Sequence, residues 1–490
     1  MIKSQLKMKR QNKEKLRIAR SIQDTIPVDT VYTDGIFRMK NKYSKTYQFL
    51  DINFSIASND SKEHIIQLYK ELLNSFDSSV MVKITINNRK VDLAKFKEDV
   101  LLKKKGESKF DDYIEEYNRM LLKNMASCSN IVQEKYITIT CFKKDIEEAR
   151  TYFGRLYNEM SSRFKRLGSQ LIELSLNERL KIMHDFYRPG EEEYYDFDLS
   201  SSAKHGYSFK DDICPRNLKF NNGHFKLNEK YGRALYFSKL PQYLDVEFLL
   251  NKNMMFSIDF YTIPTDEAMV EASNKMLGVD TNIATFSQRQ IANNNFAVSP
   301  PYELTTRKQE IQEMMNDLTS RDERMMLANM TLVHIADTKK ELEADTALLR
   351  DTCRSILVDL STIYLPSRQM DGLITAMPFG INRLQYMVRT MMTEALATLT
   401  PFRAQEIMDK GGIYYGQNTI TNNMIICNKE RLKNPNTLVL GVPGSGKSFL
   451  IKQEIETMMA SNNDDIIICD PEGEYDIIMD YFGGEVIEIY

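Results

Sequence analysis

Long apolar runs are missing from this sequence: no stretch of about 18 apolar residues occurs, and the amino terminus carries no apolar segment. Neither a membrane-spanning helix nor a secretory leader is expected, and the reading that follows is a protein of the cytoplasmic side. Cysteine is sparse. The six (Cys128, Cys141, Cys214, Cys353, Cys427, Cys469) form no C-x-x-C pair, and several fall in apolar strand-like runs, so buried free thiols are expected rather than disulfides or zinc ligands. The five histidines are dispersed; His334, inside MTLVHIA, reads as a core or face histidine, and no metal site built from protein groups alone is expected. An excess of one charge is also lacking. With 65 Lys and Arg against 68 Asp and Glu, the net charge of −3 gives no global attraction to nucleic acid or anionic lipid, so such contacts need a local patch. No internal repeat is detectable.

At 490 residues the chain has room for two or three domains with substantial cores. Residues 1–20 carry eight Lys or Arg against one acid, Glu14, which suits a membrane-surface or nucleic-acid contact and equally a solvated or partner-bound tail. From residue 31 to 395 strands and helices interleave. Leu50, Ile52, Phe54 and Ile56, then Val82, Ile84 and Ile86, then Ile137, Ile139 and Cys141, then Met254, Phe256, Ile258 and Phe260 alternate with polar residues, predicting half-buried strands with one wet face. Ile146, Ala149, Phe153, Leu156, Met160, Phe164 and Leu167 form one helical stripe that ends at Gly168, and Thr338 with Glu341 has capping-box spacing at another helix start. A helix-like run, Leu384 to Leu399, stops before Pro401. Short strand-like pieces, Gly411 to Gly416 and Met424 to Asn428, then lead to a different style of chain.

That chain contains GVPGSGKS, Gly441 to Ser448, which fits the phosphate-binding pattern G-x-x-x-x-G-K-[ST] at every fixed position. Asn436 to Leu440 reads as a short buried strand and Phe449 to Ala460 as a helix, so the loop sits at the strand-to-helix turn the motif requires. Gly441, Gly444 and Gly446 let the backbone turn its N–H groups inward. Pro443 has no N–H to give, so the cradle is expected to begin at Gly444 and to run through Ser445, Gly446, Lys447 and Ser448 to the helix start at Phe449. Lys447 supplies the charge for the β- and γ-phosphates of ATP and is the candidate catalytic residue; the Ser448 hydroxyl is placed to ligate Mg²⁺. The alternative is a chance match in a Gly-containing turn.

After the loop, Phe449, Leu450, Ile455, Met458 and Met459 are expected on the buried side of the helix, with Lys452 and Glu456 exposed. Asn462 to Asp465 turn the chain into a second buried strand, Ile466 to Cys469, with Asp470 at its carboxyl end, and Gly483-Gly484 turns into a third, Glu485 to Tyr490. A right-handed crossover would bring Asp470 to the same rim as Lys447. Asp470 fits three readings: a Walker-B aspartate, which the 23-position interval from Lys447 disfavours; the D-x-x-G of a GTPase, which leaves no space for a switch loop; or an acid beside Glu474 at the phosphate end of a neighbouring RecA-like strand, which fits best. An aspartate that merely caps a strand end is the plain alternative. The fold class expected is an α+β amino-terminal domain (31–395, after a basic arm, 1–30), followed by the beginning of an α/β RecA-like P-loop domain (396–490) whose parallel sheet is incomplete. A P-loop domain needs about five parallel strands and only three can be counted, so a continuation beyond Tyr490 is expected.

The pairing of GVPGSGKS with DPEGEY one helix later resembles the HerA/FtsK-like motor superfamily. Upstream, DGIFRMKNKYSKTYQFLDINFS, KITINNR, GGIYYGQNTI, DEAMVEASNKMLGVDTNIATFSQRQIANNNF and LTSRDERMM resemble the VirB-four type of conjugation ATPase of integrative elements in Gram-positive bacteria. The resemblance covers residue 30 to the last. It implies an ATPase energising a type IV secretion system: an amino-terminal domain docked on membrane components of the channel at the inner face of the membrane, a coupling ATPase as partner, and a RecA-like domain that forms a hexamer. Gly441, Gly446, Lys447 and Ser448 match the family's nucleotide and Mg²⁺ positions, and Asp470 the acid after the adjacent strand. The family's Walker-B aspartate, catalytic glutamate, arginine finger and sensor glutamine match nothing up to Tyr490, so turnover of ATP is expected of a longer chain. Two other functions stay open: a DNA translocase or helicase acting directly on nucleic acid, and a non-hydrolysing scaffold.

Overall fold

The computed structural model describes residues 21–90, 93–104, 106, 108–128, 131–239, 253–293, 299–320, 323–432, 434–461 and 465–487. Residues 1–20 of the expected arm (1–30) lie outside the described residues, as do positions 462–464 of the expected turn and 488–490 of the expected third strand; Ile26 and Val28 of the same arm are buried in a core of the first unit. The chain divides into two units. The first takes in residues up to Arg89 and Gln133–Arg403; the second is Lys90–Val132 with Ala404–Tyr490. Residues 90–132, placed by the sequence reading inside the amino-terminal domain, group with the P-loop region instead.

The first unit is mixed α and β, built on a large antiparallel sheet. Its strands in chain order are β1 (Thr30–Val31), β2 (Phe37–Met39), β3 (Lys42–Phe49), β4 (Val80–Lys90), β5 (Ile131–Phe142), β6 (Leu171–Glu173), β7 (Leu218–Asn221), β8 (His224–Leu227), β9 (Lys230–Lys239), β10 (Met254–Thr262), β11 (Met325–Ala336), β12 (Asp359–Thr362) and β13 (Arg389–Met392). They lie in the order β1-β2-β3-β5-β4-β10-β11-β9-β8-β7, with β6 on β3, β12 on β9 and β13 on β11. The centre is in regular register: Phe256 stands opposite Ile86 on one side and Leu332 on the other.

The alternation read from the sequence sets the two faces of this sheet. Ile84, Ile86, Ile139, Met254, Phe256, Ile258, Met330 and Leu332 join one core with Phe153, Met160 and Phe164 of the helix Ile146–Arg166, whose predicted stripe is buried apart from the half-buried Ile146 and which gives way to Gly168 at φ +81°. The Phe49 ring packs 5.2 Å from Phe164 and 5.7 Å from Phe402. His334 is buried in β11 with its Nε2 3.0 Å from the Thr346 hydroxyl, as a core histidine. Thr338 caps the helix Lys339–Ser355 by accepting the Glu341 N–H at 3.2 Å.

The expected wet face is not wet. β10 is buried at every position, and Ser44, Thr46, Thr85, Thr138, Thr140 and Ser257 are fully buried. The segment Thr375–Gly380, the end of the helix Pro366–Ala376 and the bend that follows it, crosses the strands there. Met377 O accepts the Phe379 N–H at 2.8 Å, and the other carbonyls take their donors from side chains, most of them on the sheet. The Lys83 ammonium donates to Thr375 O, the Ser257 hydroxyl to Ala376 O at 2.5 Å, the Ser44 hydroxyl to Phe379 O at 2.8 Å and the Thr140 hydroxyl to Gly380 O at 2.8 Å. Gly380 sits at φ +85°, and a Cβ there would lie 2.2 Å from the Thr140 hydroxyl. Beside it Arg179 is buried, and among the described residues none of its hydrogen-bond acceptors is a carboxylate. It donates to Gly35 O at 2.9 Å, Ser44 O at 2.6 Å, the Ser44 hydroxyl at 2.8 Å and Pro378 O at 3.2 Å, and stacks 3.7 Å over Phe37.

Two further expectations fail locally. The alternating run Leu50 to Ile56 is not a strand; β3 ends at Phe49, because the Asp51 carboxylate turns inward to pair with Lys135 and to accept the Arg403 N–H at 2.7 Å. The run Leu384–Leu399 is not one helix. Arg389–Met392 pairs with β11, Met392 opposite Met325, and only Thr393–Ala397 is α-helical, so sheet pairing outweighs local helical propensity.

Asp259 and Lys83 form a fully buried pair, Nζ to Oδ1 2.7 Å. Burial pushes the Asp259 carboxyl up to about 6 against the pull of Lys83, and pushes the Lys83 ammonium down against the pull of Asp259. Desolvation outweighs attraction for both, so Asp259→Ala, which strands the ammonium, should lower unfolding free energy by about 3–5 kcal/mol, while Lys83→Met combined with Asp259→Leu should recover most of it, as read by urea unfolding.

Candidate nucleotide-binding site

The second unit is assembled from two separate stretches. The first supplies α1 (Leu93–Val100) and α2 (Ser108–Ser127); the second supplies the antiparallel hairpin of β14 (Ile413–Gln417) and β15 (Met424–Cys427), then α3 (Lys447–Ser461) and α4 (Asp476–Phe482). The expected strand pieces before the loop are thus present as a hairpin. Phe96, Val100, Tyr117, Leu121 and Met125 make a common core with Met424 and Ile426.

At the loop, Gly444 and Gly446 adopt φ of +77° and +88°, with none of the described residues within 4 Å of a Cβ at either. A side chain there is opposed by backbone conformation and not by crowding. At Gly441 the reason is space, since a Cβ would meet the Ser445 hydroxyl at 2.5 Å. Lys447 folds back over the loop and its ammonium donates to Gly441 O at 3.0 Å. The Ser445 N–H is spent on Val442 O at 3.2 Å, and the first helical bond runs from Leu450 N–H to Gly446 O at 3.0 Å. The N–H groups of Lys447, Ser448 and Phe449 therefore face no helix carbonyl, and they stand at the positive end of α3. Gly441 to Gly446 are exposed and Lys447 and Ser448 half-buried. An ammonium folded over the loop, open helix amides and a hydroxyl at one helix start make an arrangement that suits a phosphate and its metal.

The parallel sheet is not formed among the described residues. Residues 436–440, 466–469 and 485–487 are irregular, and Leu438, Leu440 and Ile467 are 81%, 81% and 96% exposed. A parallel strand of this kind is stable only when neighbours pair with both edges and helices cover both faces, and no described residue does so here. For the same reason Phe449, expected on the buried side of α3, is exposed; the buried residues of the helix are Ile455, Thr457 and Ala460.

Asp470 holds its own loop. Its carboxylate accepts the N–H of Glu472 at 3.1 Å and of Tyr475 at 2.9 Å, around Gly473 at φ +69°. Partial desolvation works to raise its pKa, but the backbone donors, Tyr475 foremost, hold it below the ordinary aspartate value. Among the described residues no hydrogen bond or ion pair joins Asp470 or the exposed Glu474 to the P-loop. The two segments meet elsewhere, where the Lys452 ammonium lies 5.4 Å from the Tyr475 ring centroid. Lys452 is half-buried and not freely exposed, and burial raises the Glu456 carboxyl against the opposing pull of Lys452.

The groups that contact the far end of α3 carry no motif in the sequence. Glu454 pairs with Lys429 and accepts the Tyr415 hydroxyl at 2.8 Å, and Thr457 meets the Tyr113 hydroxyl at 2.9 Å. The 3- and 4-residue spacing of Ile114, Tyr117, Leu121 and Met125 marks a helix, but nothing local says which segment it packs on.

Because the folded pKa of Asp470 is depressed, its hold on the loop is present above the ordinary aspartate value of about 3.9 and is lost as pH falls through the lower folded value. The Tyr475 amide resonance should titrate with a midpoint below that value, and Asp470→Asn should abolish the titration, as followed by NMR.

Residues 418–490 match the family model described as the central domain of the helicase HerA. No curated protein matches the chain. Among the described residues no helix is long and apolar enough to cross a membrane, and no cluster of three or more His, Cys, Asp or Glu side chains is arranged to hold a metal. The match supports a P-loop nucleotide-binding region of the HerA/FtsK-like superfamily over residues 418–490.

Proposed function

We propose that the chain is the ATP-binding motor subunit of a conjugative type IV secretion apparatus, moving DNA or protein across the cell envelope. The observation that carries the motor reading is a complete P-loop at the start of α3 within a HerA-like stretch; the secretion assignment rests on the upstream segments that resemble the VirB-four type. The open N–H groups of Lys447, Ser448 and Phe449, with those of Gly444 and Gly446, bind the phosphates of ATP. Lys447 exchanges the Gly441 carbonyl for a phosphate oxygen, and the Ser448 hydroxyl holds Mg²⁺. The metal, when bound, neutralises charge building on the β- and γ-phosphates. Asp470 fixes the turn DPEGEY, and with Glu474 lines the phosphate end once neighbouring strands are in place. The first unit docks on membrane components of the channel and a coupling ATPase at the inner face of the membrane, and the P-loop units assemble into a hexamer.

A second reading, a translocase or helicase acting directly on DNA, is favoured by the description of the matched family as a helicase. It requires DNA binding that weakens steeply with salt.

Lys447→Ala should weaken ATP binding about tenfold or more, the loss of one charge-assisted contact, with an unchanged circular dichroism spectrum. In cells the same variant should abolish conjugative transfer; undiminished transfer would count against the motor role, and salt-sensitive DNA binding by the assembled protein would favour the second reading.

A further inference from the structure

The P-loop helix is held from behind by residues more than 300 positions earlier in the chain. The Thr457 hydroxyl donates to Gln453 O at 2.7 Å, so in the 2.9 Å contact with Tyr113 the tyrosine hydroxyl is the donor. Burial pushes the Tyr113 hydroxyl up to about 12, so it keeps its proton across the physiological range. Along the same helix, Phe110 of α2 stacks on Phe482 of α4 with ring centroids 5.3 Å apart. Further along, the Tyr117 hydroxyl accepts the Tyr414 N–H at 3.2 Å, while Asp99 at the end of α1 pairs with Lys410 at 2.9 Å and accepts the Gly411 N–H at its carbonyl, 2.8 Å. Glu454 closes the ring by tying α3 to Tyr415 and Lys429. A rigid rod is thus fixed at Glu454 and Thr457, two to three turns from the loop that would receive phosphate.

The stretch doing the holding is an insertion. It leaves the first unit at the end of β4 and re-enters it at the start of β5, and both exits are tied: Arg89 pairs with Glu134 at 2.8 Å, Gln133 donates to Asn88 at 3.0 Å, and the Tyr136 hydroxyl donates to Glu134 at 2.8 Å. Both strands belong to the centre of the large sheet. The insertion is thus continuous in sequence with two central strands of that sheet.

We propose that the insertion Lys90–Val132 is the element that senses occupancy of the P-loop and relays it to the amino-terminal unit, with the Tyr113–Thr457 contact as the coupling pair. This rests on the ATP reading above. A ligand that ties down the first turn of α3 removes freedom from the whole helix, and the helix transmits the restriction to α2 through that contact; by linkage, stiffening α2 strengthens ligand binding.

The test is amide exchange by mass spectrometry on the whole chain, with and without a non-hydrolysable ATP analogue and Mg²⁺, beside a direct binding titration. The expected result is a roughly fivefold or greater slowing in α2 as well as in α3 on binding. Tyr113→Phe should keep the slowing in α3 and lose it in α2, and Thr457→Ser, which retains the hydroxyl, should keep both. Binding with slowing confined to α3, or an α2 response that survives Tyr113→Phe, would overturn the relay and leave the motor reading standing. No binding at all would overturn the ATP reading and the relay with it.

Discussion

Five carbonyls, those of Thr375, Ala376, Pro378, Phe379 and Gly380, lie across the large sheet where a helix ends, with no backbone donor to pair with. A buried carbonyl without a donor costs about as much as a lost hydrogen bond, so the strands beneath must supply donors from side chains. That requirement explains a sheet face of Ser44, Thr46, Thr140 and Ser257 where valine and isoleucine would otherwise sit. It explains Lys83, whose ammonium reaches Thr375 O, and hence Asp259, which balances the charge. It also explains Arg179, a guanidinium whose two terminal nitrogens donate to carbonyls and one hydroxyl and which lies over the face of Phe37. The apolar cores on the two sides of the sheet are conventional; the crossing segment fixes which residues the middle layer can hold.

Much of the first unit was legible in the sequence. Helix Ile146–Arg166 and strands β4, β5 and β10 follow from periodicity, because one face of each packs on apolar neighbours whatever the other does. What periodicity could not show is the covering of the polar face. Ser257 and Asp259 read as solvent-facing in β10, and only the distant segment Thr375–Gly380 makes them interior. Likewise Leu50–Ile56 alternates like a strand, but Asp51 answers to Lys135 and Arg403, far away in sequence.

The candidate site divides the same way. The loop was legible residue by residue, because the glycine conformations and the open amides of α3 depend on a few neighbouring positions. Its surroundings were not. Leu438, Leu440 and Ile467 read as buried strand residues and are exposed, since a parallel strand takes its stability from neighbours and not from its own apolar run. Asp470, placed by analogy beside the phosphates, spends its carboxylate on the amides of its own turn.

The second unit is discontinuous, and that sets an order of events during synthesis. α1 and α2 leave the ribosome with Phe96, Tyr117, Leu121 and Met125 uncovered, yet Met424 and Ile426, which complete their core, follow only after residues 133–403 have been made. At roughly 5–20 residues per second that interval is on the order of 15 to 50 seconds. Throughout it the apolar faces of α1 and α2 lack the hairpin residues that complete their core, so this pair of helices is the last part of the insertion's packing to be closed.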